Sequence, residues 1–117
     1  DSNTIILDAY NANPSSMKAA IENFAKMEGQ DKILLLGGMM ELGNESGREH
    51  EQVINIINQF TWHKVVLVGP QFQHIKSAHI TLQNSTEARQ WLKDQHLPNT
   101  CLLIKGCRSM QMEKILE

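Results

Sequence analysis

The stretch Asp8-Ala9-Tyr10-Asn11-Ala12-Asn13-Pro14-Ser15-Ser16-Met17 decides how this chain of 117 residues folds. It follows the apolar run Thr4-Ile5-Ile6-Leu7, which predicts a strand, and it opens an amphipathic helical pattern that runs to about Met27. Asn13 is a good N-cap, and Pro14 suits the first helical position because its missing N–H needs no partner there. The stretch therefore predicts a strand, a polar turn and a helix, in that order.

Three polar residues of the turn, Asp8, Tyr10 and Asn11, have no obvious capping task. Ligands of open α/β sheets bind outside the carboxyl ends of the strands, where such turns lie. A carboxylate at a strand end can accept hydrogen bonds from a ribose diol or hold a cationic partner, and an asparagine amide can both donate and accept. Asp8 is therefore either a ligand contact or part of an elaborate helix start.

Five short β-type runs alternate with helical patterns along the chain. Several are almost wholly apolar, as expected for a parallel sheet that is covered on both faces. The alternation implies right-handed crossovers and an α/β fold with one open, mostly parallel sheet and helices on both faces. The predicted strands are Ile5–Leu7, Ile33–Leu36, Val65–Val68, about His79–Leu82, and Cys101–Ile104.

Helix boundaries are predicted from signals at the ends of each apolar stripe. Ser46-x-x-Glu49 and Asn84-x-x-Glu87 match capping boxes, Gly29 is a plausible terminator of the first helix, and Pro70–Ser77 can hold a short helix. The predicted apolar stripes are Met17, Ala20, Ile21, Phe24 and Met27; His50, Val53, Ile54, Ile57 and Phe60; Ala88, Trp91 and Leu92; and, in a final helix, Met112, Ile115 and Leu116.

The composition describes one globular domain. Hydrophobic residues make up 41% and charged residues 21%, which argues against disorder. The net charge of -2 gives no reason to expect nucleic acid as a partner, and no apolar run approaches the ~20 residues of a membrane span. Two cysteines without a signal peptide fit a reducing, cytoplasmic location. Because the chain starts at Asp1 and stops at Glu117 within a predicted helix, we expect a domain excised from a longer protein.

The strongest candidate for anion binding is Lys105-Gly106-Cys107-Arg108-Ser109, which follows the last strand. Arg108 can grip a carboxylate in a bidentate fork, Lys105 can act as a point charge, and Ser109 can cap the next helix. The alternative is a pair of surface cations whose salt bridges contribute little.

The loop Gly37-Gly38-Met39-Met40-Glu41-Leu42-Gly43 follows the second strand. Paired glycines permit close approach, but the loop matches neither glycine-rich phosphate-binding motif, so a tight structural loop is favoured, with Glu41 as a candidate ligand contact. His50 is predicted to be a satisfied core histidine, and the scattered histidines predict no metal site. If the first, second and last strands are neighbours, their carboxyl ends form one site.

These three blocks together resemble the carboxy-terminal domain of the Mur ligases. The resemblance rests on residues 8–17, on residues 37–43 with Ser46 and His50, and on residues 105–113, in family order and at family-like spacing. It covers essentially the whole chain, residues 1–117, and implies a Rossmann-like three-layer domain. It is closest to the branch that adds D-Ala-D-Ala to UDP-N-acetylmuramoyl-tripeptide.

The resemblance implies a cytoplasmic, ATP-dependent amide-forming ligase of peptidoglycan synthesis. Such enzymes have an amino-terminal domain for the UDP-sugar, a central P-loop ATPase, and this domain, which closes over ATP and helps to position the amino substrate. ATP phosphorylates the substrate carboxylate, and the incoming amine attacks the acyl phosphate. The family holds ATP and Mg mainly on the central domain, so we expect this chain alone to be inactive.

The family's site residues match this chain in two groups. Asp8 matches the aspartate that faces the nucleotide ribose, and Tyr10, Asn11 and Asn13 match the rest of that turn. Four residues match the loop near the incoming amino acid: Lys105, Gly106, Arg108 and Ser109. From this match we expect Arg108 to hold the dipeptide carboxylate.

The chain departs from the family at two positions, and other classes of protein share its architecture. Gly38 stands where the family commonly has an acidic residue, and Cys107 stands where a serine is usual. A stand-alone doubly wound binding or signalling module is one alternative, although Asp8 lacks the neighbouring carboxylate that receiver chemistry needs. A folate-polyglutamylating ligase is the other, and the residues of both end blocks point away from it.

Overall fold

In the computed structural model, which describes residues 3–28 and 31–117, five strands form one parallel sheet. Their order across the sheet is β1-β5-β2-β3-β4, and every neighbouring pair is parallel. The strands are β1 (Thr4–Asp8), β2 (Asp31–Gly37), β3 (Lys64–Val68), β4 (Ile80–Leu82) and β5 (Thr100–Lys105). All five predicted strands and the open parallel sheet are confirmed.

Four α-helices connect the strands: α1 (Pro14–Lys26), α2 (Ser46–Ile57), α3 (Pro70–Gln73) and α4 (Ser85–Lys93). The short α3 confirms a helix within the predicted segment Pro70–Ser77, although it ends at Gln73. The predicted terminator Gly29 lies outside the described residues, and Met27, the last member of the first predicted stripe, is 39% exposed just beyond α1. Within the described residues, no helix is both long enough and apolar enough to cross a membrane.

The sheet is covered on both faces, which makes the domain three-layered. Alternate residues of β2 enter opposite cores: Leu34 and Leu36 pack in the cluster that contains buried residues of α1 and α2, whereas Ile33 and Leu35 pack with Ala88 of α4. All four of these β2 side chains are fully buried. The continuous apolar run of β2 is thereby explained, because each face of a central parallel strand meets a core.

The predicted capping box at Ser46 is wrong. A 3₁₀ turn, Gly43–Glu45, leads directly into α2, so Ser46 is the first helical residue and Glu45 takes the cap position without a side-chain hydrogen bond. At α4, the Asn84 side chain accepts from the Glu87 N–H at 2.9 Å, but the Glu87 carboxylate accepts from the N–H of Gln83. The predicted box therefore has the bond from the Glu87 N–H to the Asn84 side chain. In its second bond, the Glu87 side chain accepts from Gln83 and not from the cap residue Asn84.

The segment after β5 is two 3₁₀ turns, Arg108–Met110 and Met112–Leu116, and not one capped helix. Gln111 interrupts them with a left-handed backbone, φ 52° and ψ 44°. The prediction that Ser109 caps a following helix is wrong, because Ser109 lies inside the first turn. Met112 and Ile115 are buried three residues apart, the spacing at which 3₁₀ side chains align, whereas Leu116 is 41% exposed.

Candidate functional site

The carboxyl ends of β1, β5 and β2 lie side by side, as the site prediction required. Asp8 pairs with Lys105 in register, and Lys105 pairs with Leu36, so the loops that follow these strands leave the sheet together. They surround a cleft of about 390 Å³. The lining residues are Tyr10, Asn11, Ala12, Met40, Glu41, Cys107, Arg108 and Ser109.

Asp8 and Lys105 form an ion pair at the base of this region. The Lys105 ammonium donates to Asp8 Oδ2 at 2.6 Å and to the Asn11 carbonyl at 3.0 Å. The side chain of Lys105 is 2% exposed and that of Asp8 is 49% exposed. The lysine is therefore a buried tie between β5 and the turn after β1, and the carboxylate still reaches solvent.

The turn ends in a complete capping box, which confirms the structural task predicted for Asn13 and Pro14. Asn13 Oδ1 accepts from the Ser16 N–H at 2.9 Å, and Ser16 Oγ accepts from the Asn13 N–H at 3.0 Å. Pro14 is the first residue of α1. Because the Asn13 oxygen is used by the helix, its assignment to nucleotide binding stays a prediction.

Arg108 and Tyr10 meet across the cleft. The guanidinium carbon of Arg108 lies 5.0 Å from the centroid of the Tyr10 ring, within cation–π range. Both side chains are exposed, and Tyr10 is 71% accessible. The contact holds a solvent-facing guanidinium at the rim, where it can meet an anion.

The loop after β2 forms the opposite rim. Glu41 adopts φ 62°, a left-handed backbone that costs a residue with a Cβ about 1–2 kcal/mol, and it is exposed beside Met40. At Gly38, a Cβ would lie 2.2 Å from Gln71 Oε1. A side chain at position 38 would therefore require Gln71 to move. In this chain, Gln71 occupies the space that the acidic residue common in the family would need at position 38.

His50 is a fully buried core histidine, as predicted. The Met39 N–H donates to His50 Nε2 at 2.8 Å, and His50 Nδ1 lies 2.7 Å from the Ser46 carbonyl. Since a carbonyl only accepts, Nδ1 carries the hydrogen and the ring is neutral. Burial lowers the pKa of His50 below its usual value, which favours this neutral form.

The sequence did not indicate Gln71, which approaches the site from the short helix α3 after β3. Its Nε2 donates to the Met40 sulfur at 3.0 Å, and its buried Oε1 has no hydrogen-bond partner within the described part of the chain. A polar residue in a short helix gives no local signal that it will fill the space above a distant glycine. Cys107, by contrast, lies at the predicted loop, with Sγ 3.2 Å from Ser109 Oγ.

The residues that the structure describes contain no group of three or more His, Cys, Asp or Glu side chains that could hold a metal ion. The ionic groups at the strand ends are an ion pair between the buried Lys105 and the half-exposed Asp8, and two exposed side chains of opposite sign, Arg108 and Glu41. This arrangement suits an organic ligand with an anionic group.

Comparisons with known proteins agree on one family. The profile described as "Mur ligase, glutamate ligase domain" matches residues 1–108. The chain is 34% identical, over 97% of its length, to the UDP-N-acetylmuramoyl-tripeptide--D-alanyl-D-alanine ligases of Rickettsia prowazekii (strain Madrid E) and Escherichia coli (strain K12). It spans about a quarter of these relatives, 26% of each.

Solved structures give the same result for the fold. The MurF ligase from Thermotoga maritima, determined in complex with ADP, superposes with a TM-score of 0.81 at 27% identity, covering 99% of this chain and 27% of that one. A MurF from Acinetobacter baumannii superposes with a TM-score of 0.80 at 29% identity, covering 92% of this chain and 25% of that one. The Rossmann-like α/β fold is therefore confirmed.

Proposed function

This chain belongs to the Mur ligase, glutamate ligase domain family, and on that premise we propose that it is the carboxy-terminal domain of a cytoplasmic, ATP-dependent ligase. The proposed reaction joins D-Ala-D-Ala to UDP-N-acetylmuramoyl-tripeptide in peptidoglycan synthesis, the activity named for the relatives that match most of its length. Amino-terminal and central domains of the same protein would supply the rest of the active site, and residues 1–117 alone would not turn over substrate. A stand-alone binding or signalling module is not favoured.

The observation that carries the proposal is the single cleft at the ends of β1, β5 and β2. Each of its three walls comes from one of the three sequence blocks that resemble the family, and the sheet order brings those blocks together. A volume of about 390 Å³ lies within the range of small-molecule sites. One wall carries an exposed cation and another an exposed aromatic ring, a combination that suits a small zwitterion with a terminal carboxylate.

Arg108 is the residue that we assign to the carboxylate of the amino substrate. A guanidinium can donate two parallel hydrogen bonds to a carboxylate, and the face of Tyr10 already orients the Arg108 side chain. Gly106 and Ser109 belong to the same loop, and Ser109, which lines the cleft, would offer a hydroxyl to the substrate. Lys105 is bonded to Asp8 and the Asn11 carbonyl, so its contribution to substrate binding would act through these contacts.

Asp8 is the residue that we assign to the ribose of ATP, with Tyr10, Asn11 and Asn13 as the rest of the nucleotide-facing turn. The Asp8 carboxylate suits this role because only Oδ2 is bonded to Lys105. The half-exposed carboxylate can still accept a hydrogen bond from a ribose hydroxyl. The structural neighbour in complex with ADP supports a nucleotide at this family's sites. Bound ATP supplies the phosphoryl group that activates the substrate carboxylate.

The triphosphate and its Mg²⁺ do not fit the residues of this chain. The sequence contains no G-K-[ST] phosphate loop, and the described residues form no carboxylate or histidine cluster for a metal. We therefore assign both groups to the central domain. Residues 1–117 should consequently bind ATP only weakly, at millimolar affinity or not at all, by titration calorimetry, and micromolar binding would contradict this assignment.

The decisive experiment is Arg108→Ala in the full-length protein. Loss of a bidentate, charge-assisted contact of about 2–3 kcal/mol should raise KM for D-Ala-D-Ala by about 30- to 150-fold while KM for ATP stays unchanged. Arg108→Lys should recover only part of the loss, since an ammonium lacks the planar fork. The matched control is Arg48→Ala, which removes an exposed arginine of α2 that pairs with Glu45. An unchanged KM for the dipeptide would refute the role of Arg108.

A further inference from the structure

The buried ring of His50 is bonded at both nitrogens, and the two bonds join different elements. Nδ1 donates to the Ser46 carbonyl one turn earlier in α2, which fixes the ring on its own helix. Nε2 accepts from the Met39 N–H, eleven residues away in the loop after β2. The imidazole and the Phe72 ring also form a T-shaped contact, with centroids 4.9 Å apart at 85°. The ring is thus held on one side and presents its lone pair on the other.

The Nε2 lone pair binds the loop after β2 at Met39, the residue just before the rim of the cleft. Gly38 is fixed by its N–H to the Val68 carbonyl at 2.9 Å, and Met39 by the bond to His50. The loop is fixed again where the Glu45 N–H donates to the Leu42 carbonyl at 3.0 Å. Between these anchors lie Met40 and Glu41, the two loop residues that line the cleft.

The two residues between these anchors, Met40 and Glu41, have few contacts of their own to fix their backbone. Glu41 has a left-handed backbone, and Met40 is 45% exposed, so neither residue is held by burial in the core. Met39, by contrast, is 1% exposed, and its N–H donates to His50 Nε2. A buried N–H that loses its acceptor would drive this backbone to rearrange, and the rearrangement would reach the rim within one or two residues.

We propose that His50, as the neutral tautomer with its hydrogen on Nδ1, is a positioning residue that sets the Met40–Glu41 rim opposite Arg108 through the Met39 N–H. The proposal rests on the proposed function, because the cleft it shapes is the one assigned to the amino substrate. His50 is fully buried outside the cleft lining, so it would touch neither substrate nor nucleotide and would act only through the loop.

The test compares three variants of the full-length protein. His50→Leu places an apolar side chain at the site and removes the acceptor, and His50→Gln keeps an acceptor oxygen about as far from Cβ as Nε2. The control Ile57→Val changes packing at a fully buried residue two turns along the same face of α2. His50→Leu should raise KM for D-Ala-D-Ala about tenfold with kcat within about threefold of the parent. His50→Gln should stay within about threefold of the parent in KM, and Ile57→Val should leave KM unchanged.

Two kinetic results would overturn the proposal. One is a His50→Leu enzyme that is folded and has the KM of the Ile57→Val control; the other is a His50→Gln enzyme as impaired as His50→Leu, which would assign the ring to packing. The tautomer gives an independent test by ¹⁵N NMR of the histidine-labelled full-length protein, with His50→Gln assigning the signal. A pyrrole-type Nδ1 with a pyridine-type Nε2 supports the proposal, and the reverse pattern overturns it. This NMR result stands even if the protein shows no turnover with D-Ala-D-Ala, an outcome that would refute the proposed function alone.

Discussion

The ion pair between Asp8 and Lys105 is buried unequally, and this makes the effects of removing each partner predictable. The Lys105 side chain is 2% exposed, while that of Asp8 is 49% exposed. An ammonium that loses its counter-ion in the interior cannot be hydrated without opening the structure, whereas a half-exposed carboxylate can take up water. We therefore predict that Asp8→Ala destabilises the domain more than Lys105→Met.

The magnitudes follow from the contacts that remain. After Asp8→Ala, the Lys105 ammonium retains the Asn11 carbonyl as its acceptor. Breaking a fully buried pair costs about 3–5 kcal/mol, and the exposure of Asp8 puts the loss here near the lower limit, about 3 kcal/mol. Lys105→Met keeps most of the apolar stem and removes the charge, so the cost should be about 1 kcal/mol or less.

Urea-induced unfolding of the chain of 117 residues measures both values. With a urea dependence of about 1.5 kcal/mol per molar, Asp8→Ala should lower the midpoint by about 2 M and Lys105→Met by less than 1 M. The double variant should unfold close to Lys105→Met, because no buried ammonium is then left without its partner. A Lys105→Met loss equal to or larger than that of Asp8→Ala, or strictly additive losses, would refute this reasoning.

Three further predictions concern other contacts of the domain. Asn13→Ala removes the α1 cap and should lower the free energy of unfolding by about 1 kcal/mol in urea titrations, whereas an unchanged midpoint would contradict the capping role. Gly106→Ala places a Cβ 2.5 Å from Met112 Cγ, so thermal unfolding should show a loss of about 1–3 kcal/mol, and Met112→Ala should relieve part of it. Burial lowers the pKa of His50 and His79 below the usual 6.5, so the folded state binds fewer protons than the unfolded chain and stability is lost as the pH falls below 6.5. His50 contributes at most about 1.4 kcal/mol per pH unit to this slope, so His50→Gln should reduce the slope to the contribution of His79, and a slope equal to that of the parent would contradict the assignment.

The pattern of elements could be predicted because its signals are local. Apolar runs mark the strands, and the asparagine caps at Asn13 and Asn84 mark two helix starts at which the side chain accepts from the N–H three residues on. The start of α2 at Ser46 agrees with the prediction, but its capping box does not form, because the 3₁₀ turn Gly43–Glu45 leads into the helix and Glu45 takes the cap position. The break at Gln111 was missed since a left-handed glutamine has no sequence signature.

The sequence predicts one site only if the first, second and last strands are neighbours in the sheet. The blocks that line the cleft are separated by much of the chain, and whether they meet depends on which strands are neighbours. The observed order places β5 between β1 and β2, which joins all three ends. Sequence reasoning identified the loops but not the long-range contacts between their residues, such as the amide of Gln71 above Gly38.

The unequal burial of Asp8 and Lys105 also changes the interpretation of the motif Lys105-Gly106-Cys107-Arg108-Ser109. The sequence of the motif offers two cations to an anion. The pairing of β1 with β5, however, places Lys105 beside Asp8, 97 residues earlier in the chain, where the ammonium of Lys105 is buried. Of the two cations, Arg108 is the one at the exposed rim. If Arg108 binds the carboxylate while Lys105 holds Asp8 and the turn after β1, then one loop couples the amino-substrate wall to the nucleotide wall. Lys105→Met should accordingly raise KM for both ATP and D-Ala-D-Ala in the full-length enzyme, in contrast to the dipeptide-specific effect of Arg108→Ala, and a change confined to either substrate would show that the walls act separately.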